Sequence, residues 1–425
     1  MRRPRTIMLV AALAAIVAAG TAAGSVRTSA AWNRISGPTQ PGSQLGLART
    51  ADGVLHVIWN RGNGPTTISE TRLSPTGKTV GTSTVASGWD GNGGLAAVVM
   101  PDKTLRLFAP GTGGINTFTA PAAGGHWTLQ AGTSWGGAVA EASYIIGATL
   151  TKDGQPVTAW RGTAAEGVPP GSIPANGYEG GMAQSYLATE AASGAVVLSG
   201  ETNAGQGGLY VQRILPGAGP RVVFPPLVKE WSDGLSGRIG AAGVYAAYAD
   251  GKAARLYRYG GGSRTLARGP YWSATVCTGP QGRLWIAWGD ATDGLFVTRT
   301  NRAAAVLEPL QKLRPPSSNG LGFLQCEGSA GPVDLFADDF SGFWHTHVLA
   351  RFAVHALVAR TKTGAKVTVS VRDAGDAVAG AAITVAGRRL KTAANGTATV
   401  TLRSGSYTAN ASAPGYAPAS TSFHV

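Results

Sequence analysis

The sequence predicts an all-β protein, a seven-bladed β-propeller followed by a small β-sandwich, with six blades as the alternative count. A unit of about 46 residues recurs seven times between Leu45 and Leu349, and each copy holds a small-residue strand, a turn and an apolar strand with a bulky end. Gly accounts for 62 of 425 residues and charged residues for only 14%, which favours many short strands over helices. Because strand-rich units of this length bury their faces against neighbouring units, the pattern indicates propeller blades.

The apolar strand is the clearest element of each unit. The first three copies end in Trp or Phe, and the later copies are weaker, the fourth and fifth most of all. These strands are predicted at residues 55–59, 105–108, 156–160, 195–198, 244–248, 284–288 and 333–336. The turns before the first three strands carry Asp52, Asp102 and Asp153, two of them followed by Gly, as tight hairpins require. We therefore interpret these carboxylates as turn residues, and we expect residues 32–36 to form the strand that closes the ring.

Residues 1–31 are predicted to be an export signal. Three Arg among the first five residues precede an apolar run at 7–19, and small residues suited to cleavage follow it. The run is shorter than the roughly 20 residues that a membrane span needs, and no later stretch of the sequence approaches that length. We expect cleavage after export, a secreted or cell-envelope-associated location outside the cytoplasm, and no stable membrane insertion. A retained N-terminal anchor is the alternative.

The two cysteines are predicted to form a disulfide. Cys277 and Cys326 stand 49 positions apart, close to one unit, and the matching positions of earlier units hold the small residues Ala48, Ala97 and Thr149. The innermost strands of neighbouring blades approach closely at these positions, within the reach of a disulfide. An oxidising compartment favours the bond. Two free buried thiols are the alternative.

Loops after the second strand of each unit and loops between units are predicted to emerge on one face of the propeller. Four Trp residues fall shortly before the first strand of a unit, so they should lie near this face. Trp rings flanked by carboxylates and amides can stack on sugars, which predicts a carbohydrate-binding surface. Packing of the rings between blades is the alternative. The candidate ligand-binding residues are Trp89, Trp135, Trp231, Trp272, Arg161, Glu201, Asp290 and Asp338.

The sequence predicts neither a metal site nor a cofactor. His345 and His347 would face the same side of a strand near Asp338 and Asp339. Two His without an identifiable third ligand do not define a zinc site. Gly-x-Ser-x-Gly, HExxH and P-loop patterns are missing from the sequence, so no cofactor is expected.

The repeated units loosely resemble those of sialidase-like propellers. Thr50-Ala51-Asp52-Gly53 followed by Trp59 is only a degenerate form of the Ser-x-Asp-x-Gly-x-Thr-Trp box of that family. The resemblance transfers no catalytic residue to this chain, and none is named. A secreted glycoside hydrolase or lyase that uses carboxylates of the loop face stays an alternative to a binding protein.

A second domain is predicted at residues 366–425, after a propeller at 32–360 and a linker at 361–365. Its short alternating strands resemble the carboxypeptidase-regulatory-like, transthyretin-like β-sandwich family, although Ala379 stands where such domains often carry Pro. The motifs that carry the resemblance are residues 369–373, Val378-Ala379-Gly380-Ala381, Ala394-Asn395-Gly396-Thr397-Ala398, Gly405-Ser406-Tyr407-Thr408 and Ala413-Pro414-Gly415-Tyr416. The resemblance implies a seven-stranded, non-catalytic accessory sandwich.

The net charge of +14 is concentrated near the C-terminus. Residues 351–425 hold nine Lys or Arg and two Asp, a net charge of +7. Basic surface of this kind attracts acidic envelope polymers, and a merely solvated basic face is the alternative. Because no aromatic residues interleave the basic ones, no nucleic-acid partner is expected. We expect a monomeric exported protein that binds an extracellular or cell-wall glycan or an envelope protein, with a structural interaction scaffold as a further alternative.

Overall fold

The chain is built from β-sheets throughout the part that the computed structural model describes. That part comprises residues 31–37, 44–60, 66–89, 94–111, 114–131, 147–159, 173–174, 182–202, 209–220, 222–224, 236–240, 243–290, 294–317, 321, 323–339, 341–362 and 364–425. Of the predicted export signal, residues 1–30 lie outside it. The single helical element of the described part is a 3-10 turn at Pro280–Gly282. None of the described residues belongs to a helix long and apolar enough to cross a membrane.

Seven small sheets follow one another along the described chain up to residue 348. After a short strand β1 (Asn33–Arg34), the first sheet contains β2 (Gly46–Arg49), β3 (Leu55–Asn60), β4 (Thr66–Leu73) and β5 (Thr79–Trp89). The second contains β6 (Ala96–Val99), β7 (Leu105–Gly111), β8 (Gly114–Ala120) and β9 (Thr128–Leu129). The third contains β10 (Gly147–Leu150), β11 (Pro156–Ala159) and β12 (Ile173–Pro174), and the fourth β13 (Met182–Thr189), β14 (Val196–Thr202), β15 (Leu209–Leu215) and β16 (Val222–Val223).

The remaining three sheets repeat the same order. The fifth contains β17 (Ser236–Gly240), β18 (Gly243–Ala249), β19 (Ala253–Arg258) and β20 (Ser263–Arg268). The sixth contains β21 (Ser273–Thr278), β22 (Leu284–Asp290), β23 (Gly294–Arg299) and β24 (Gln311–Leu313). The seventh contains β25 (Phe323–Glu327), β26 (Val333–Asp338) and β27 (Phe343–Val348), with β1 at its outer edge.

Tight turns join the first and second strands of the early sheets, as the Asp-Gly pairs predict. Gly53 and Gly154 have φ of 85° and 79°, values that favour Gly. The Asp52 carboxylate accepts hydrogen bonds from the Val54 amide at 3.2 Å and the Thr50 hydroxyl at 2.6 Å. Asp102 accepts one from the Thr104 amide at 2.9 Å. The interpretation of Asp52 and Asp102 as turn residues is therefore confirmed.

The second strands carry the core because neighbouring sheets cover both of their faces. Every residue of β3 is buried, which explains why its sequence is an apolar run rather than an alternation. The first strands of successive sheets lie side by side, from β2 through β6, β10, β13, β17 and β21 to β25. Gly46 of β2 comes so close to β6 that an added Cβ would lie 3.4 Å from the Ala97 Cβ. The result is a propeller-like arrangement of sheets.

Two contacts join the last sheet to the beginning of the chain. Strand β1 pairs with β27, with Asn33 opposite His345 and Arg34 opposite Trp344. The prediction that residues 32–36 include a strand is thereby confirmed, and this strand completes the last sheet. Next to the first sheet, the Gln325 side chain accepts a hydrogen bond from the Leu45 amide at 2.8 Å and donates one to the Leu45 carbonyl at 3.1 Å.

The predicted disulfide is present between the sixth and seventh sheets. Cys277 of β21 and Cys326 of β25 are bonded, with their Cα atoms 5.7 Å apart. Both residues are buried. Their spacing of one unit places them on adjacent first strands, which is why the two thiols meet.

Two facing sheets form the C-terminal unit. One contains β28 (Ala353–Thr361), β29 (Gly364–Asp373), β30 (Asp376–Ala377) and β33 (Thr397–Leu402), and the other β31 (Ala382–Val385), β32 (Arg388–Lys391), β34 (Ser406–Ser412) and β35 (Ala419–His424). Alternate residues of β29 point inward and are buried, including Val367, Val369 and Val371. The unit therefore has its own apolar core.

The linker expected at residues 361–365 is instead the turn of a hairpin inside this unit. Strands β28 and β29 pair along their whole length, from Ala353 opposite Arg372 to Thr361 opposite Gly364. The expectation was wrong because a Thr, Lys and Gly segment suits a hairpin turn as well as a link between domains. The C-terminal sheet begins at Ala353, so the division between the units lies close to residue 350.

Candidate functional site

A cavity of about 370 Å³ lies among the first strands of the sheets. Residues of β2, β6, β10 and β13 make most of its wall, together with Thr278 and Gln325 from the sixth and seventh sheets. The side chains are mainly small and apolar, and hydroxyl and amide groups come from Thr149, Thr189, Gln44 and Gln325. Small residues recur here because larger side chains would fill the space between converging strands.

The two ends of the cavity differ in structure. Each first strand starts after a connecting segment between sheets and ends at a tight turn, so Arg49 and Glu327 mark the turn end. The segments 38–43, 61–65, 90–93, 132–146, 160–172 and 175–181 lie outside the described residues. The other end of the cavity is the one at which the first strands start. This second end corresponds to the loop face on which the sequence places the ligand.

Buried charges at the turn end are paired with one another. The Arg49 guanidinium contacts both Glu327 and Asp334 and donates a further hydrogen bond to the Gly53 carbonyl at 2.8 Å. The same Asp334 carboxylate receives His345 Nε2 at 2.8 Å and His347 Nδ1 at 2.9 Å. These contacts join the first sheet to the seventh and cap the cavity with a compensated charge network.

The protonation of this network follows from its contacts. Burial alone would lower the pKa of Arg49, but Glu327 and Asp334 outweigh that effect and hold the pKa above its usual value. Burial alone would raise the pKa of Asp334, but hydrogen bonds from His345 and His347 hold it far below its usual value. Arg49 and Asp334 are therefore both charged at neutral pH, and each charge stabilises the other.

The two predicted Trp residues that the structure describes lie in different surroundings. Trp89, at the end of β5, donates from Nε1 to the Pro110 carbonyl at 2.7 Å, and its ring meets Phe118 edge-on at 5.2 Å. These contacts are the ones expected if the ring packs inside the protein rather than binding a sugar. Trp272, just before β21, is 41% exposed, and its amide donates to the Gly289 carbonyl at 3.2 Å. Trp272 is thus the more exposed of these two rings.

Among the predicted acidic residues, the structure describes the side chains of Asp338 and Asp339. Asp338 ends β26 and is fully buried, opposite Phe323 and Phe343 in the sheet, so it does not reach solvent. Asp339 accepts hydrogen bonds from the Ser341 amide and hydroxyl, the second at 2.6 Å. His345 and His347 meet Asp334 rather than either of these carboxylates. In the part of the chain that is described, no three His, Cys, Asp or Glu side chains are placed to hold a metal ion.

The other predicted ligand-binding residues fall outside the description. Trp135, Trp231 and Arg161 lie in segments that are not described. Glu201 and Asp290 belong to β14 and β22, but their side chains are not among those described.

Sequence reasoning missed two buried charge networks. Arg49 and Asp334 are separated by 285 positions, so no local motif indicates that they pair. The sequence did contain a weak signal of the cavity, because the small residues Ala48, Ala97 and Thr149 occupy the same position in successive units. In the structure these three residues line the cavity.

The second network joins the C-terminal unit to the sixth sheet. The Asp373 carboxylate accepts hydrogen bonds from Arg299 Nη2 at 2.7 Å and the Tyr416 hydroxyl at 2.8 Å, and it lies 2.9 Å from Arg283 Nε. The Arg299 guanidinium lies 5.0 Å from the centroids of both the Trp285 and Tyr416 rings. The two units therefore share a buried, mixed charged and aromatic interface.

Comparisons with known proteins find only structures of low identity and low structural similarity. No protein-family model matches the chain, and no curated protein matches it. The structure of AofleA from Arthrobotrys oligospora is similar over 68% of this chain and 91% of that one, at 14% identity and a TM-score of 0.42. A Hadza microbial sialidase is similar over 72% of this chain and 65% of its own, at 12% identity and a TM-score of 0.40. The WD40 domain of Neurospora crassa Pan2 covers 75% of this chain and 96% of its own, at 8% identity and a TM-score of 0.44. These proteins differ in function, so none of their activities is assigned to this chain.

Proposed function

We propose that this chain is an exported binding protein that holds an extracellular or cell-envelope glycan at the loop end of its central cavity. In this proposal the seven sheets are the seven blades of a propeller, and the C-terminal sandwich is a non-catalytic accessory unit. The cavity is the observation that carries the proposal. Ligand sites are concave and combine apolar walls with a few placed polar groups, and the wall of this cavity combines apolar side chains with hydroxyl and amide groups.

The polar groups of the wall suit a neutral, hydroxyl-rich ligand. Thr149 and Thr189 bring their hydroxyl oxygens to 3.4 Å from each other, and each hydroxyl can both donate and accept. The charged groups near the wall, Arg49 with Glu327 and Asp334, are paired with one another. Trp272 provides an exposed aromatic ring of the kind that stacks on sugars.

Two features support export. The Cys277–Cys326 bond suits an oxidising compartment outside the cytoplasm. The basic, Arg-containing start of the sequence followed by an apolar run has the form of an export signal.

Filling the cavity tests the proposal directly. Mature protein should sediment with purified cell-wall polysaccharide, and Thr149→Phe should reduce the bound fraction at least about tenfold, because the ring occupies the space that the ligand needs. Thr82→Phe makes the same substitution on the exposed outer strand β5 and is the matched control. Equal binding by both variants would exclude the cavity. Release of reducing sugars during the incubation would instead support the enzyme alternative.

A further inference from the structure

The C-terminal unit directs both of its carboxylates into the interface with the propeller-like unit. Asp373 and Asp376 are the two acidic residues between positions 351 and 425. Asp373 is fully buried against Arg299 and Arg283. Asp376 accepts hydrogen bonds from Arg283 Nη2 at 2.7 Å and from the Arg302 amide at 2.9 Å. Both negative charges are therefore matched by arginines of the other unit.

The basic residues of the same unit are directed toward solvent rather than into the interface. Seven of the nine are exposed, and the other two are partly exposed. Exposed are Arg360, Lys362, Lys366, Arg388, Arg389, Lys391 and Arg403; partly exposed are Arg351 and Arg372. Since the acidic side chains are used at the interface, they do not neutralise this outer surface. Docking of the two units thus removes the acidic side chains from the outer surface of the C-terminal unit and leaves that surface strongly cationic.

Two of these cations lie at opposite ends of one outward row. Strand β29 pairs with β28 on one edge and β33 on the other, so it is central in its sheet. Its outward residues are Lys366, Thr368, Ser370 and Arg372, whereas the intervening Val residues are buried. Lys366 and Arg372 are six residues apart, which corresponds to roughly 20 Å along a strand. Among the described residues, neither lies within ion-pair distance of a carboxylate.

Hydroxyl groups cover the surface between these two cations. Thr368 stands opposite Thr399, and Ser370 stands opposite Thr397. All four side chains are exposed or partly exposed. A hydroxyl can donate to one ligand oxygen and accept from another, so the row offers repeated hydrogen bonds with a positive charge at either end.

We propose that this outer sheet face, defined by Lys366, Thr368, Ser370, Arg372 and Thr399, binds an extended acidic polysaccharide. The polymer lies along β29, with carboxylate or phosphate groups at Lys366 and Arg372 and sugar hydroxyls on the Thr and Ser side chains between them. This surface belongs to a different unit from the central cavity, so it acts independently of the function proposed above.

The chemistry of the face favours a polysaccharide over other polyanions. Binding of single-stranded nucleic acid relies on aromatic rings that stack on bases, and the outward residues of β28, β29 and β33 include no Phe, Tyr or Trp. The one ring among them is the exposed imidazole of His355, opposite Ser370. Leu357, at 73% exposure, is the one large apolar side chain exposed there, which is little for insertion into a lipid surface. Hydroxyl rows, in contrast, match the hydrogen-bonding groups of sugars.

Charge removal on the two sheets of the unit provides the test. The full-length mature protein is titrated with polygalacturonate at low and physiological salt, using neutral dextran as the polymer control. Lys366→Ala with Arg372→Ala should weaken binding about fivefold to tenfold, because each exposed ion contact contributes a factor of about two to five. Arg389→Ala with Lys391→Ala removes the same charge from the other sheet and should have an effect of about twofold or less through the general field. Equal losses in the two double variants would overturn the assignment of this face.

The hydroxyl row is tested by a second pair of variants at unchanged charge. Thr368→Val with Thr399→Val should weaken binding of polygalacturonate but leave binding of inorganic polyphosphate unchanged, since only the sugar uses the hydroxyls. Thermal midpoints should match that of the unmodified protein because Val is suited to an exposed strand. Unchanged polygalacturonate binding, or an equal loss for polyphosphate, would overturn the choice of a sugar polymer. Stronger binding of a single-stranded oligonucleotide or of phosphatidylserine vesicles than of polygalacturonate would do so as well.

Discussion

At the residue scale, the same amino acid has different roles according to its neighbours. Trp89 and Trp272 hold similar places before a first strand, yet Trp89 is packed on Phe118 and hydrogen-bonded to Pro110. Trp272 keeps 41% of its surface exposed. The sequence pattern fixes where such a Trp falls in the unit but not how much of its ring the next sheet covers.

Replacing each Trp by Ala should separate the two roles. Trp272→Ala should lower glycan affinity about fivefold through loss of one stacked ring, and it should change stability by less than about 0.5 kcal/mol. Trp89→Ala should cost about 2 kcal/mol of unfolding free energy because it removes a half-buried ring and a hydrogen bond. Chemical denaturation and sedimentation with cell-wall polysaccharide measure the two effects. Normal glycan binding by Trp272→Ala would remove this ring from the ligand site.

At the element scale, one side chain supplies two hydrogen bonds to the backbone at the junction between the first and last sheets. Gln325 of β25 offers an amide N–H and a carbonyl to the backbone of Leu45, which lies immediately before β2. These two hydrogen bonds resemble those between paired strands, and they link two sheets that belong to opposite ends of the chain. The joint is buried, so both backbone groups depend on it.

Removing this side-chain amide should weaken the junction. Gln325→Leu leaves the Leu45 amide and carbonyl without these bonds, at a cost of about 1–3 kcal/mol for each buried group. Gln311→Leu is the control, since Gln311 donates a single hydrogen bond to the carbonyl of the half-exposed Leu349. The midpoint of urea unfolding should fall clearly further for Gln325→Leu. Equal shifts would mean that the junction is held by other contacts.

Local patterns predicted the elements well and their long-range partners poorly. The strands, the Asp turns, the closing strand and the disulfide followed from the repeat, because each depends on spacing within one unit or between adjacent units. Position 361 was misjudged because a hairpin turn and a linker have the same composition. The charge networks around Asp334 and Asp373 could not be predicted, because each joins sequence-distant residues that only the packed sheets bring together. The burial of Asp338 escaped prediction for the same reason.

At the scale of the whole molecule, the two units are coupled through a carboxyl group that is held neutral. Glu308 lies in the interface, where it is buried beside Arg299 and hydrogen-bonded to Asp373. Burial, followed by the contact with Asp373, raises the pKa of Glu308 to about 9. Arg299 opposes this shift but does not cancel it. The Glu308 carboxyl therefore keeps its proton at neutral pH in the docked state.

This proton predicts a pH dependence of stability. Because the pKa of Glu308 is raised on folding, its contribution is fully present below about pH 4.5 and is lost as the pH rises toward about 9, by up to about 1.4 kcal/mol per pH unit. Glu308→Gln keeps a neutral donor, so its stability should vary less between pH 5 and 9. Chemical denaturation across this range compares the variant with the unmodified protein. Asp376→Asn, at a partly exposed position of the same interface, is the control and should keep the slope. Parallel pH profiles for the Glu308 variant and the unmodified protein would contradict the neutral carboxyl.

The pairing of β1 with β27 also bears on the order in which the molecule is completed. Arg34 and Ser341, which contact each other in the last sheet, are 307 positions apart. A polypeptide that is synthesised from its amino end therefore exposes β1 long before its partner strand is made. The first six sheets can assemble one after another during that time, while β1 keeps unpaired backbone groups that can attract other strands. Only a chain that reaches β27 can pair β1, so completion of the seventh sheet marks the delivery of every strand of the propeller-like unit.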